Sequence, residues 1–232
     1  MSGTIKWGIL GLGKIAHNFA SDLILVQGCE LKAVASSSED RAKAFANKYG
    51  LDTFYGSYNN LYEDEAIDVI YIASLNQNHH RHVIQVIKHG KAVLCEKPLA
   101  INYRQAKEML NFARVNQVFL MEALWTRFNP TFEQILRWIN EGTIGKLRYI
   151  NSTFSFNGLN NDFDSRLFNP AKGGGSLLDI GIYPLFLSLS ILGKPNNIKA
   201  SAVLSETGVD EQIGMLLTYD PVSYTHLRAH ET

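Results

Sequence analysis

Ile5-Lys6-Trp7-Gly8-Ile9-Leu10-Gly11-Leu12-Gly13-Lys14-Ile15-Ala16 is the stretch that decides the fold. Residues 5–10 form a short apolar run that reads as a strand. Gly11 to Ala16 follow at once as G-x-G-x-x-A and open a helical pattern. The first glycine permits the tight turn, the second lets a pyrophosphate approach the backbone, and small Ala16 allows close helix–strand packing. Phosphate would sit at the helix N-terminus. The alternative is a purely structural glycine-rich turn. Strand, helix and second strand all stand in the right order, which favours a dinucleotide cradle with Gly11, Gly13, Lys14 and Ile15 as cofactor contacts.

Working outward, apolar runs at 5–10, 31–35, 69–73, 92–95 and 118–121 alternate with helix-like segments at 14–26, 39–49, 79–89 and 103–115. Strict alternation of this kind predicts an α/β fold, an N-terminal Rossmann domain with a doubly wound parallel sheet over residues 1–122. Beyond that the pattern changes. A helix at 131–141, a strand at 147–156, an apolar helix at 176–192 and strands at 198–205 and 212–219 predict an incomplete α+β domain over 123–221. Its sheet is expected to be mainly antiparallel. Residues 222–232 have no clear periodicity and resemble the translation of a sequencing adapter or vector read-through. They are read as a non-native tail outside the fold.

Composition bounds the function. The 232 residues are 46% hydrophobic and 19% charged, enough for one large domain or two small ones. Basic and acidic residues both total 22, so no net field attracts nucleic acid or an acidic membrane. No apolar run approaches membrane-spanning length, and the N-terminus enters a strand without a signal-peptide pattern. Cys29 and Cys95 fit neither a metal site nor a disulfide framework, and two buried thiols indicate the cytoplasm.

At the end of the second strand, where an acidic ribose partner is expected, stand Ser36, Ser37 and Ser38. Three hydroxyls and nearby Arg41 would accept a 2′-phosphate, which favours NADP(H) over NAD(H); Glu39 and Asp40 close by count against it. The strand at 69–73 leads into a loop whose Asn76 and His79 are candidate nicotinamide-side contacts. His79, His80 and His82 lack a supporting ligand pattern, so no metal is expected, and His80 and His82 read as a helix's polar face. Val93-Leu94-Cys95-Glu96-Lys97-Pro98 reads as a buried strand ending in a charged pair and a proline. Lys97 then stands where open α/β sheets bind ligands, Glu96 and Lys97 are candidate cofactor contacts, and Pro98 stiffens the turn. A surface pair with Glu96 is the plainer alternative. In the second domain, residues 173–184 read GGGSLLDIGIYP, with Asp179 and Tyr183 one helical turn apart on an apolar helix. An ionisable group there needs a partner; a purely structural role, Asp179 capping and Tyr183 in the core, is the alternative. Were Lys97 near Tyr183, its charge would make the phenol a better proton donor and acceptor.

Taken together, GLGKIA, the Asn76-x-x-His79 loop, CEKPLA (95–100) and GGGSLLDIGIYP resemble the glucose–fructose oxidoreductase and inositol dehydrogenase family, Gfo/Idh/MocA. Met121 to Phe128 (MEALWTRF) is similar to its dihydrodiol dehydrogenase and anhydrofructose reductase branch. The resemblance implies an NAD(P)-dependent oxidoreductase transferring a hydride between nicotinamide and a secondary alcohol or ketone of a sugar, polyol or cyclic diol. It implies Lys97 and Tyr183 as the catalytic pair, Asp179 as the residue orienting a small-molecule substrate, and Trp125 and Arg127 as pocket residues. A packed strand between the domains is the alternative for those two. It also implies that the second domain binds substrate and mediates oligomerisation, giving a homodimer or homotetramer when full length. Ser37 stands where the branch often has arginine, which bears on cofactor choice. The family's second domain continues through more strands, so the chain reads as C-terminally truncated and part of an active enzyme. A sheet cut short predicts instability or aggregation. A non-catalytic nucleotide sensor and a redox-neutral glycosidase using NAD⁺ transiently are the competing functions. Retention of both Lys97 and Tyr183 counts against the sensor.

Overall fold

A computed structural model describes residues 3–158, 162–220 and 223–230. The chain divides into two units, Met1–Ala123 and Leu124–Thr232, one residue beyond the expected boundary.

The first unit runs β1 (Ile5–Leu10), α1 (Lys14–Leu23), β2 (Cys29–Ala35), α2 (Glu39–Tyr49), β3 (Thr53–Tyr55), α3 (Tyr58–Glu63), β4 (Val69–Ile72), α4 (His79–Lys88), β5 (Ala92–Glu96), α5 (Tyr103–Val115) and β6 (Leu120–Ala123). Its six strands are all parallel, in the order β3-β2-β1-β4-β5-β6. Strand order reverses between β1 and β4, which places the ligand crevice at the carboxyl ends of those two strands. Successive strand residues feed opposite layers. Leu10, Ile70, Ile72 and Val93 join Val83 and Met109 on one face, while Ile9, Tyr71 and Leu94 join Ala16, Ala20 and Phe45 on the other. Both faces are covered, as a parallel sheet requires.

The elements absent from the sequence expectation are short. β3 has three residues and α3 six, below the length at which periodicity is visible. β6 begins two residues later than expected because Gln117, at φ 56°, and the Val118 N–H to Ala113 carbonyl bond still belong to the end of α5. One reading is corrected outright. His82 is not on a polar face: it is 1% exposed, with its Nδ1 2.6 Å from the Tyr62 hydroxyl. Of the two thiols, Cys95 is buried and Cys29 half-buried.

The second unit comprises α6 (Pro130–Asn140), β7 (Tyr149–Ser155), α7 (Ile182–Leu192), β8 (Asn197–Leu204), β9 (Asp210–Tyr219) and β10 (Ser223–His230). Its four-stranded sheet has the order β7-β10-β9-β8. β8 and β10 flank β9 antiparallel, and β10 runs parallel to β7. The segment expected to lie outside the fold therefore supplies an inner strand. Leu227 and Ala229, two apart, are fully buried, and Leu227 packs with Met215, Leu217 and Tyr219. An inner strand hydrogen-bonds along both edges, so neighbouring strands impose the conformation where the side-chain pattern is weak. Residues 159–161, 221, 222, 231 and 232 lie outside the described residues, so the domain edge at 221/222 does too.

By length and composition, Pro170–Leu192 would suit a membrane crossing, contrary to the expectation that no apolar run is that long. It is broken at Gly173, which is left-handed at φ 73°, and Leu177, Leu185 and Leu192 pack onto the sheet through the cluster around Leu217.

Candidate active site

The nucleotide cradle is built where β1 turns into α1. Gly11 has φ +85°, and a Cβ there would lie 2.8 Å from the Ala73 backbone, so only glycine lets this turn sit against the end of β4. Gly13 is different. Its φ of −83° is open to any residue, and a Cβ would meet nothing within 4 Å. The space before the α1 N-terminus is therefore free, with no side-chain cap on the first-turn N–H groups. Ala16 is fully buried against the sheet, while Lys14 and Ile15 are exposed at the helix start. A dinucleotide pyrophosphate fits this arrangement: no side chain caps the first turn, where the Ala16 N–H bonds the Gly13 carbonyl at 3.1 Å, and the room is there.

At the end of β2 the three serines are not equivalent, which corrects the expectation of three available hydroxyls. Ser36 is 3% exposed and its Oγ accepts the Ser38 N–H at 3.2 Å. Ser38 caps α2 by accepting the Arg41 N–H. Ser37 and Arg41 are the exposed members, at the same sheet edge as the cradle.

The loop after β4 also changes meaning. Asn76 opens a short 3₁₀ turn and is partly exposed. His79 is fully buried, with Nδ1 2.9 Å from the Pro98 carbonyl and Nε2 3.0 Å from the Ser74 carbonyl. A ring with no exposed surface makes no cofactor contact, so His79 instead ties the loop after β4 to the turn after β5. Burial lowers its pKa, and the two carbonyls offset part of that.

Lys97 sits in that turn, one residue past β5 and partly exposed; the Lys97–Pro98 peptide is cis. Glu96 turns back to accept the Lys97 N–H at 3.2 Å, and takes a 2.5 Å hydrogen bond from the Tyr71 hydroxyl. Burial pushes the Glu96 carboxyl up, against the pull of Tyr71 and Lys97. Burial, reinforced by Glu96, pushes the Tyr71 phenol up as well, so Tyr71 remains a donor. Glu96 is thus occupied in shaping the turn. Its partner Tyr71 was not foreseen, because the bond joins residues 25 apart. The Cys95 thiol is pushed well up by burial and then by Glu96 and Glu122, which leaves it inert.

In the second unit Asp179 and Tyr183 are set by an irregular helix start. Leu177–Gly181 form a π-helical turn leading into α7. Wider spacing in such a turn loosens the regular i, i+4 register that the sequence implied. Gly174 and Gly175 make the entry: a Cβ on either would collide, with the Leu167 carbonyl at 2.4 Å and with the Asp210 carboxylate at 2.3 Å. Asp210 in return accepts the Ser176 hydroxyl and the Leu177 N–H, both at 2.7 Å. Asp179 is 8% exposed and its carboxylate meets Arg166 Nη1 at 2.9 Å. The expected partner of the buried ionisable group is therefore Arg166, thirteen residues upstream, with no local signal to announce it.

Tyr183 receives a hydrogen bond from Trp125 Nε1 at 3.4 Å, and its ring lies 5.4 Å from that of Phe154. Trp125 is 62% exposed on a 3₁₀ turn, Trp125–Phe128, rather than on a packed strand. Arg127 is exposed on the same turn. The second unit thus gathers Trp125 and Phe154 at Tyr183, with Asp179 four residues earlier on the π turn and paired to Arg166, while the first gathers the cradle, Ser37, Arg41, Asn76 and Lys97 at one sheet edge. Among the described residues no group of three or more His, Cys, Asp or Glu side chains is placed to hold a metal ion.

Known proteins are similar to this chain in sequence and in fold. The mouse trans-1,2-dihydrobenzene-1,2-diol dehydrogenase is 41% identical over 220 residues, covering 93% of this chain and 65% of the relative. The human protein of the same name is 38% identical over 219 residues, with 93% and 65% covered. The chain thus spans just under two thirds of the length of these relatives. Among solved structures, an NAD-binding oxidoreductase from Klebsiella pneumoniae superposes with a TM-score of 0.88 at 28% identity, covering 98% of this chain and 67% of that one. A 3-ketoreductase from Actinomadura kijaniata, KijD10, in complex with NADP and TDP-benzene, has a TM-score of 0.88 at 28% identity over 99% of this chain and 71% of its own. Residues 5–124 match the oxidoreductase family with an NAD-binding Rossmann fold, and residues 132–229 match the GFO/IDH/MocA C-terminal domain. The chain belongs to the GFO/IDH/MocA oxidoreductase family.

Proposed function

We propose that the protein is an NADP(H)-preferring dehydrogenase or reductase acting on a secondary alcohol or ketone of a sugar, polyol or cyclic diol. The observation that carries this reading is Lys97, presented just past β5 on the sheet edge that holds the Gly11–Gly13 cradle. Gly11, Gly13 and the α1 N-terminus hold the pyrophosphate, and exposed Ser37 and Arg41 receive the adenosine 2′-phosphate. When bound, the nicotinamide supplies the two-electron acceptor or donor.

The remaining work falls to this chain's residues. In the oxidative direction the Tyr183 oxygen removes the substrate's hydroxyl proton, and in the reductive direction it returns one. Trp125 holds that oxygen in place through its indole N–H. The Lys97 ammonium stabilises the negative charge that develops on the substrate oxygen. Asp179, fixed by Arg166, orients a second hydroxyl, which suits a diol or polyol. Trp125 and Arg127 line the substrate side. The names of the mouse and human relatives support trans-1,2-dihydrobenzene-1,2-diol as an assay substrate. The free thiols fit a reducing compartment such as the cytoplasm.

Lys97→Met tests the reading. Turnover of the diol should fall by about 10²–10⁴-fold, the usual range for losing a group that handles charge or protons in the transition state. NADPH affinity, read by fluorescence titration, should stay within about threefold of the parent chain, since Lys97 is assigned to the substrate rather than the cradle. Near-normal turnover would remove Lys97 from the chemistry, and tighter binding of NADH than NADPH would overturn the cofactor assignment.

A further inference from the structure

The turn carrying Lys97 is gripped on both sides by side chains distant in sequence. Before it, Glu96 accepts the Lys97 N–H while Tyr71 holds the Glu96 carboxylate. After it, His79 meets the Pro98 carbonyl. The next peptide is held by a residue with no assigned role: the Leu99 N–H donates to Glu122 Oε1 at 2.6 Å. Glu122 lies on β6, in register with Cys95 on neighbouring β5, and is half-buried.

A half-buried carboxylate is a costly choice for a strand end, where an apolar side chain would serve packing better. Burial pushes the Glu122 carboxyl up, the nearby Glu96 charge adds to this, and the Leu99 N–H and Lys97 offset it. An ionised acceptor nonetheless gives a hydrogen bond roughly twice as strong as a neutral one. Its donor is the backbone two residues beyond Lys97. Displacing a reacting group by about 1 Å can cost about 10²-fold in rate.

We propose that Glu122 is a positioning residue for Lys97, pinning the Lys97–Leu99 turn through the Leu99 N–H. The proposal rests on the reading of Lys97 as the charge-stabilising group. Two variants separate the hydrogen bond from the charge: Glu122→Gln keeps the acceptor oxygen, and Glu122→Ala removes it.

In the full chain, E122A should lower kcat at least about tenfold with KM for NADPH within about twofold, the pattern of an interaction felt in the transition state. Amide exchange at Leu99 should accelerate while the amides of β4 keep their protection. E122Q should return kcat to within about threefold of the parent and restore protection at Leu99, because its amide oxygen still accepts the bond. Unchanged kcat in E122A, with K97M inactive, overturns the proposal. If E122A does not fold, E122Q decides alone: a kcat as low as that of K97M, with Leu99 still protected, overturns a hydrogen-bonding role. Normal turnover by K97M overturns the underlying reading, and any catalytic consequence for Glu122 with it.

Discussion

At the scale of single residues, the histidines show how far side-chain chemistry depends on surroundings. Three of them within four positions invite one description, yet His79 and His82 are buried for different reasons and His80 alone faces an exposed carboxylate, Glu108, at 3.1 Å. Burial, helped by the positive charge of Arg81 and by His79, depresses His82 to a pKa of about 4. Tyr62 and Tyr58 pack on its ring, and burial pushes the Tyr62 phenol up to about 12. His82 therefore has to be neutral in the fold. Its contribution is present above the unfolded value of about 6.5 and is lost as pH falls through the folded value of about 4, because the unfolded chain binds the extra proton. Between about pH 7 and pH 4 the parent should lose up to about 3 kcal/mol more than His82→Gln, at about 1.4 kcal/mol per pKa unit. Urea unfolding across that range measures it, and parallel pH profiles would show that His82 titrates normally.

At the scale of elements, the two glycines of the first turn carry separate duties. Gly11 is demanded by the chain itself, through positive φ and contact with the Ala73 backbone. Gly13 is demanded only by what occupies the space in front of α1. Gly11→Ala should destabilise the fold by about 1–3 kcal/mol or more. Gly13→Ala should leave stability within about 0.5 kcal/mol, as for a substitution that touches nothing. It should still weaken NADPH binding at least about tenfold, by blocking the approach of the pyrophosphate. Thermal unfolding and fluorescence titration distinguish the two; undiminished binding by the Gly13 variant would place the pyrophosphate elsewhere. The β1–α1 element was legible because strand, glycine spacing and helix are contiguous. The π turn at Leu177–Gly181 was not, since its shape follows from Asp210, more than thirty residues later, receiving Ser176 and Leu177.

At the scale of the whole molecule, the chain is two sheets with different dependence on their own sequence. Every strand of the first sheet except β3 announces itself by apolar content. The second sheet relies on β10, whose place between β7 and β9 supplies both with a hydrogen-bonding neighbour. Leu227→Ala, at a fully buried position, should cost about 2–5 kcal/mol. The loss should be local. Amides of β7, β9 and β10 should exchange faster, whereas β1 to β6 and NADPH binding should be unaffected. Unaltered exchange in β7 and β9 would show that Ser223–His230 contributes nothing to the sheet.

The sequence by itself determined the parallel sheet, the nucleotide cradle and the position of Lys97 at a strand end, because each depends on spacing within about a dozen residues. It also fixed the family, whose motifs are local in the same way. The tertiary structure decided which groups those residues answer to: Arg166 for Asp179, Tyr71 for Glu96, the Pro98 and Ser74 carbonyls for His79, and Glu122 for Leu99. These partners are brought together by strand order and helix packing. Burial, which sets their charge and reach, arises only once the chain has closed around them.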